Sequence, residues 1–184
     1  AGAISLDASE VVLDDVSNIS VSTFAGDGGS VTVRADTLSL LNGSDLSALT
    51  VGPNPGSNVD IDVTGTFALF GGITTSTVTI DLPGYSPITG PAGAIDINAG
   101  QLIVGQHGRV QSDSFSNASA GPISLEVGRL EVKEGGEIAS SARAQGPAAS
   151  IQIQASEQVH VHGTHPVFLF DGSQIASDAS SSAN

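Results

Sequence analysis

His160-Val161-His162, with His165 close behind, is the densest run of metal-ligating side chains in the sequence. On a strand, His160 and His162 project to one face roughly 6.5–7 Å apart, while Val159 and Val161 face the core. Two or three imidazoles so placed could hold a Zn, Cu or Ni ion. No carboxylate stands in evident register with them, so the simpler reading is two exposed strand residues beside a long loop. A second set is acidic. Asp60 and Asp96 occupy equivalent places in neighbouring repeats, with Asp62 on the same face. Outward carboxylates of this kind can bind Ca²⁺ or act as an acid–base pair on a polysaccharide. Such chemistry usually adds a catalytic Arg or Lys and an aromatic-lined cleft. Here basic residues are scarce and the strand faces carry almost no aromatics, so the carboxylates read as solvation of the wall. Gly26-Asp27-Gly28-Gly29 occurs once and reads as a turn rather than as a Ca²⁺ repeat. No nucleophile elbow, phosphate loop or dinucleotide fingerprint stands in a credible setting. No catalytic residue and no cofactor is assigned.

The elements that must position these side chains come from a repeat. The pattern apolar-x-apolar at Ile4/Leu6 returns at Val31/Val33, Val59/Ile61, Ile95/Ile97, Ile123/Leu125 and Ile151/Ile153. The spacings are 27, 28, 36, 28 and 28 residues. A second pair follows at Val11/Leu13, Leu38/Leu40, Leu102/Val104 and Leu130/Val132. One extra residue delays it to Phe67/Leu69 and Val159/Val161 in the third and sixth units. A third apolar position recurs at Ile19, Leu46, Ile73, Val110, Ile138 and Ile175, after turn-type residues such as Gly43, Gly72, Gly108 and Gly135. Period-two alternation between turns predicts three short strands per unit, and no helical stripe is present. A meander would not need so constant a period, whereas a solenoid needs like columns to repeat. The sequence therefore predicts one all-β domain over 1–184: a right-handed parallel β-helix of about six coils, starting near 3, 30, 58, 94, 122 and 150. An outward column, Asp7, Arg34, Asp62, Asn98, Glu126, Gln154, sets Arg34 between two carboxylates, a cross-strand arrangement worth up to about 1 kcal/mol. Two insertions interrupt the repeat. The 82–93 loop offers Tyr85 and several Pro residues, and the 163–172 loop offers Phe168 and Phe170. These three aromatics are the candidate binding residues, since solenoids carry such decorations on one face.

Composition narrows the function. Lys plus Arg number 5 against 19 Asp plus Glu, a formal charge of −14, which repels phosphate backbones and anionic headgroups. Nucleic acid is therefore excluded as a partner. Acidity also keeps a rod with much exposed strand surface in solution. There is no Cys, hence no disulfide or thiolate metal site. No apolar run is long enough for a membrane-spanning helix. The sequence begins at Ala1 without a signal-like segment, and neither end carries an evident polar cap. It reads as an internal piece of a longer solenoid whose exposed ends invite end-to-end association.

The connection between coils carries a resemblance. The stretch Ile19-Ser20-Val21-Ser22-Thr23-Phe24-Ala25-Gly26-Asp27-Gly28-Gly29-Ser30-Val31-Thr32-Val33 resembles the inter-coil passage of filamentous-haemagglutinin-type exoproteins. Ala35-Asp36-Thr37-Leu38-Ser39-Leu40-Leu41-Asn42-Gly43 and the stretch 99–108 resemble the next part of that repeat. A degenerate passage at Val110-Gln111-Ser112-Asp113-Ser114-Phe115 keeps Phe115 at the coil position of Phe24. The likeness runs along essentially the whole chain, and its motifs specify a scaffold rather than a site. It implies a protein secreted across the outer membrane of a Gram-negative bacterium by a two-partner system. The family includes adhesins, haemagglutinins and large cyanobacterial members. The expectation is an extracellular or outer-membrane-surface segment that binds or bridges glycans, cell surfaces or neighbouring copies. A polysaccharide-processing enzyme and a passive spacer are the alternatives on the same scaffold.

Overall fold

The structure is a computed structural model, which describes residues 2–24, 26–78, 90–167 and 172–179. Every element in it is a strand, and the strands alternate between two six-stranded sheets. The first sheet contains β1 (Ala3–Leu13), β3 (Ser30–Leu40), β5 (Asn58–Leu69), β7 (Ile95–Val104), β9 (Ile123–Lys133) and β11 (Ile151–His162). The second contains β2 (Asn18–Phe24), β4 (Asp45–Val51), β6 (Gly72–Val78), β8 (Arg109–Phe115), β10 (Glu137–Ala142) and β12 (Gln174–Ala179). Each strand pairs in parallel with its equivalent one coil away, never with its sequence neighbour. The chain is a parallel β-helix.

The register is the one the repeat demands. Ile4, Val31, Val59, Ile95, Ile123 and Ile151 form one ladder column. Val11, Leu38, Phe67, Leu102, Leu130 and Val159 form a second. Ile19, Leu46, Ile73, Val110, Ile138 and Ile175 form the third, on the second sheet. In the middle coils these side chains are fully buried, while Ile4, Ile19, Ile151 and Ile175 on the outermost coils pack against the core only in part. The extra residue before Phe67 and before Val159 is absorbed by a register shift inside β5 and β11, after which pairing resumes in step.

One expectation is corrected: each coil has two strands, not three. The first and second apolar pairs lie on one strand of 10 to 12 residues. The residues between them, such as Ala99-Gly100-Gln101, stay extended and keep pairing to the next coil, with one pair missed at the bend. The coil therefore turns this corner within the ladder and needs no separate turn.

The inner face of the second sheet is apolar over one half and hydroxyl-bearing over the other. Thr50, Thr75, Thr77, Ser112, Ser114 and Ser140 are all buried. They serve the passage that joins the second sheet to the next coil. Thr75 Oγ1 donates to the Gly93 carbonyl at 2.8 Å, and Gly121 N–H donates to Ser112 Oγ at 2.8 Å. Ser57 N–H donates to Thr50 Oγ1 at 3.0 Å, and Ala149 N–H to Ser140 Oγ at 3.0 Å. A passage outside both sheets would otherwise bury unpaired backbone groups, and these hydroxyls supply the partners.

Candidate functional site

The outer face of the first sheet gathers the acidic candidates. Alternation along β3, β5, β7 and β9 turns Thr32, Asp60, Asp96 and Ser124 outward in one column, and Arg34, Asp62, Asn98 and Glu126 in the next. Together they line a shallow trough of about 270 Å³ whose floor is the backbone of Val33, Ile61 and Ile97. Asp60 and Asp96 stand directly opposite each other, as their spacing predicts. Asn98 Nδ2 donates to Asp62 Oδ1 at 3.2 Å. Arg34 lies in register between Asp7 and Asp62, yet no ion pair joins it to either, so that expected pairing is absent. The trough thus places a carboxylate pair and a guanidinium on one wall, an arrangement that suits hydrogen bonding to hydroxylated ligands.

Partial burial, and then the charge of Asp60, holds the Asp96 carboxyl above its ordinary value. Burial does the same for Asp45 against one opposing backbone hydrogen bond from Gly72. It does so too for Asp113, against the charge and hydrogen bond of Arg143 and the charge of Arg109. In all three the folded chain holds a proton more tightly than the unfolded chain, whose carboxyls titrate near about 4. Stability from these groups is therefore gained as pH falls toward that value and lost as pH rises through their raised values. Glu131 runs the other way. Burial pushes it up, but the His162 hydrogen bond and the Lys133 charge outweigh that and leave it lowered, so its contribution is lost only in stronger acid. The expected result is a higher unfolding temperature at pH 5 than at pH 7.5, measured by circular dichroism. Asp96→Asn should raise the value at pH 7.5 and narrow the gap; an unchanged gap would count against this origin.

The histidines do not converge. His160 and His162 project from β11 and stack, ring centroids 4.1 Å apart. His162 Nε2 donates to Glu131 Oε1 at 3.2 Å, a carboxylate supplied by the preceding coil, where it pairs in register with His160. His165 leaves them. It is 5% exposed and seated over Gly135, where a Cβ would come within 2.8 Å of the His165 Cβ and where φ is +83°. Across that glycine its Nε2 meets His107 Nε2 at 3.4 Å, two coils down. Val167 N–H donates to His165 Nδ1, which leaves the proton of a neutral ring on Nε2, directed at His107. Among the described residues no group of three or more His, Asp or Glu is placed to hold a metal ion. The His165 ring, through His107 and Val167, ties the 163–167 segment to the wall. Val159 and Val161 follow the inward columns of Leu130 and Val132 but stay half exposed. The other binding candidates, Tyr85, Phe168 and Phe170, lie outside the described residues.

Two features were not read from the sequence. The His107–His165 contact joins residues 58 apart, and its only sequence signal is that His107 and Gly135 fall at the same turn of successive coils. Asp113 sits in an outward column of β8, between Ser76 and Ser141, yet its side chain is only 8% exposed. Its Oδ2 lies 3.5 Å from Arg143 Nη2, and its Oδ1 is buried with no hydrogen-bond partner among the described residues. Among the described residues no helix is long and apolar enough to cross a membrane. Comparison with protein families, with curated proteins and with solved structures found no match to this chain.

Proposed function

We propose that the chain is an extracellular structural or adhesive β-helix segment of a secreted bacterial surface protein, binding or bridging surfaces, glycans or neighbouring copies. The observation that carries the reading is the outer wall of the first sheet. Six strands in continuous register present polar columns there, and a shallow trough open to solvent crosses four of them. A surface of that form suits an extended partner lying across several coils better than a small substrate needing enclosure. The likeness of the inter-coil passage to filamentous-haemagglutinin-type exoproteins supports the same reading. It implies export through an outer-membrane partner and residence on or outside the surface of a Gram-negative bacterium.

A polysaccharide-processing enzyme is the second reading, favoured by one observation: Asp60, Asp96 and Arg34 share the trough. The chain is read as non-enzymatic because Lys plus Arg number only 5 and the strand faces carry almost no aromatics to build a substrate cleft. A passive spacer is the third reading. The test exposes the purified chain to surface polysaccharides and to cells, scoring retention and newly released reducing ends. Retention without release, lost on replacing the 82–93 or the 163–172 loop, is the expected outcome. Release that disappears with Asp60→Asn or Asp96→Asn would establish the enzyme, and neither signal would leave a spacer.

A further inference from the structure

We infer that the outer face of the second sheet carries a subsite for a linear neutral glycan, built from Phe115, Asp113 and Arg143. This rests on the adhesive reading and gives it a second, separate surface. Three observations combine. Phe115 ends β8 and is 48% exposed, although it follows a buried run. The Arg143 guanidinium lies over that ring, 5.4 Å from its centroid, and is itself about half exposed. Two residues back on the strand, Asp113 keeps a carboxylate oxygen buried without a donor among the described residues.

A buried acceptor left unpaired costs free energy, more so for a charged group, so this oxygen calls for a donor. Arg143 meets only the other oxygen, at the limit of hydrogen-bond distance, and holds the carboxylate loosely. A sugar ring satisfies both parts of the cluster together. Its C–H face lies on the aromatic ring in place of the guanidinium, and a hydroxyl donates to Asp113 Oδ1. Displaced from the ring, Arg143 uncovers the carboxylate and turns its own donors to the ligand's oxygens. Ser76 and Ser141, in register on either side of Asp113, add hydroxyls along the coil axis.

The ligand class follows from charge and shape. A uronate or sulfated chain would meet Asp113 and a protein of formal charge −14, so the sugar is neutral. Phe24 is 71% exposed and stands in the same ladder column as Phe115, three strand spacings away through Val51 and Val78. That places a second aromatic platform roughly 14 Å along the axis, so an extended chain of several sugars can rest on both.

The test is isothermal titration of the full chain with cellohexaose and with a linear mannohexaose, folding being checked by circular dichroism. The expected result is binding of at least one, weakened tenfold or more by Phe115→Ala and by Asp113→Ala, and retained in Phe115→Trp. Phe24→Ala should weaken the hexaose and leave a disaccharide unaffected. Unaltered affinity in folded Phe115→Ala, or no binding of either hexaose, would overturn the subsite. If cells still retain the chain in that case, the adhesive reading survives; if they do not, both fall.

Discussion

Replacing Phe67 by alanine should cost the fold about 3–5 kcal/mol, the range for removing a large buried aromatic side chain. Phe67 is fully buried in the third coil, between Leu38 below and Leu102 above in its column. Both neighbours lie on strands paired on each side, so the wall has little freedom to collapse into the space. A solenoid draws its stability from contacts between adjacent coils, so position along the axis decides the size of the effect. Ile175→Ala, in the sixth coil and only partly buried, should cost less than half as much. Urea unfolding of the two variants checks this. Equal losses would mean that the coils do not behave as a stack of nearest neighbours.

Gly93→Ala is the second large effect, expected at about 3 kcal/mol, from overpacking rather than from a cavity. Gly93 lies in the passage between β6 and β7, stacked between Gly56 below and Gly121 above. A Cβ on Gly93 would overlap the carbonyl oxygen of Ser57, and one on Gly121 would overlap the carbonyl of Gly93 itself. These neighbours are backbone atoms held by hydrogen bonds between successive passages, such as Gly56 N–H to Pro91 and Ala92 N–H to Ser119, and cannot give way as a flexible side chain would. The same Gly93 carbonyl accepts from Thr75 and Ser112, so displacing the passage also strands two buried hydroxyls. Gly172→Ala is the control. Among the described residues nothing lies within 4 Å of a Cβ there, and its stability should stay within about 0.5 kcal/mol of the parent. A mild Gly93→Ala, matched to the control by thermal unfolding, would show that the passage can move apart.

The columns were legible because one face of every strand must be apolar and the coil period is nearly constant. Even the one-residue delay before Phe67 could be read, and it became a register shift. What escaped follows from the same logic. Period-two alternation marks Ser112 and Thr75 as inward, but composition makes such residues look like solvent-facing ones, so the hydroxyl lining was missed. Its cause is the passage backbone groups that the inter-coil bonds leave over, such as the Gly93 carbonyl and the Gly121 N–H, which no local pattern announces. The two-strand coil was missed for a related reason: a bend inside a ladder needs no turn residues.

The acidic trough was half visible, since Asp60 opposite Asp96 follows from the period alone. That Arg34 pairs with neither Asp7 nor Asp62 depends on side-chain geometry that register does not determine. Sequence proximity set His165 beside His160 and His162, and nothing local announces its contact with His107. The insertion instead folds it back over Gly135 to His107, and Glu131 from the coil below becomes the partner of His162.

The ladder also has a mechanical side. Successive coils are joined by hydrogen bonds and buried columns, and the chain runs from one end of the stack to the other. Tension applied between its ends would load the outermost coil first and strip it while the rest stayed intact. Each coil of 28 residues, such as that between Ile95 and Ile123, would release about 90 Å of extended chain. It would replace a rise of roughly 5 Å. A segment of this kind lengthens in steps under load and dissipates work at each one, so a surface attachment it carries would yield before it broke.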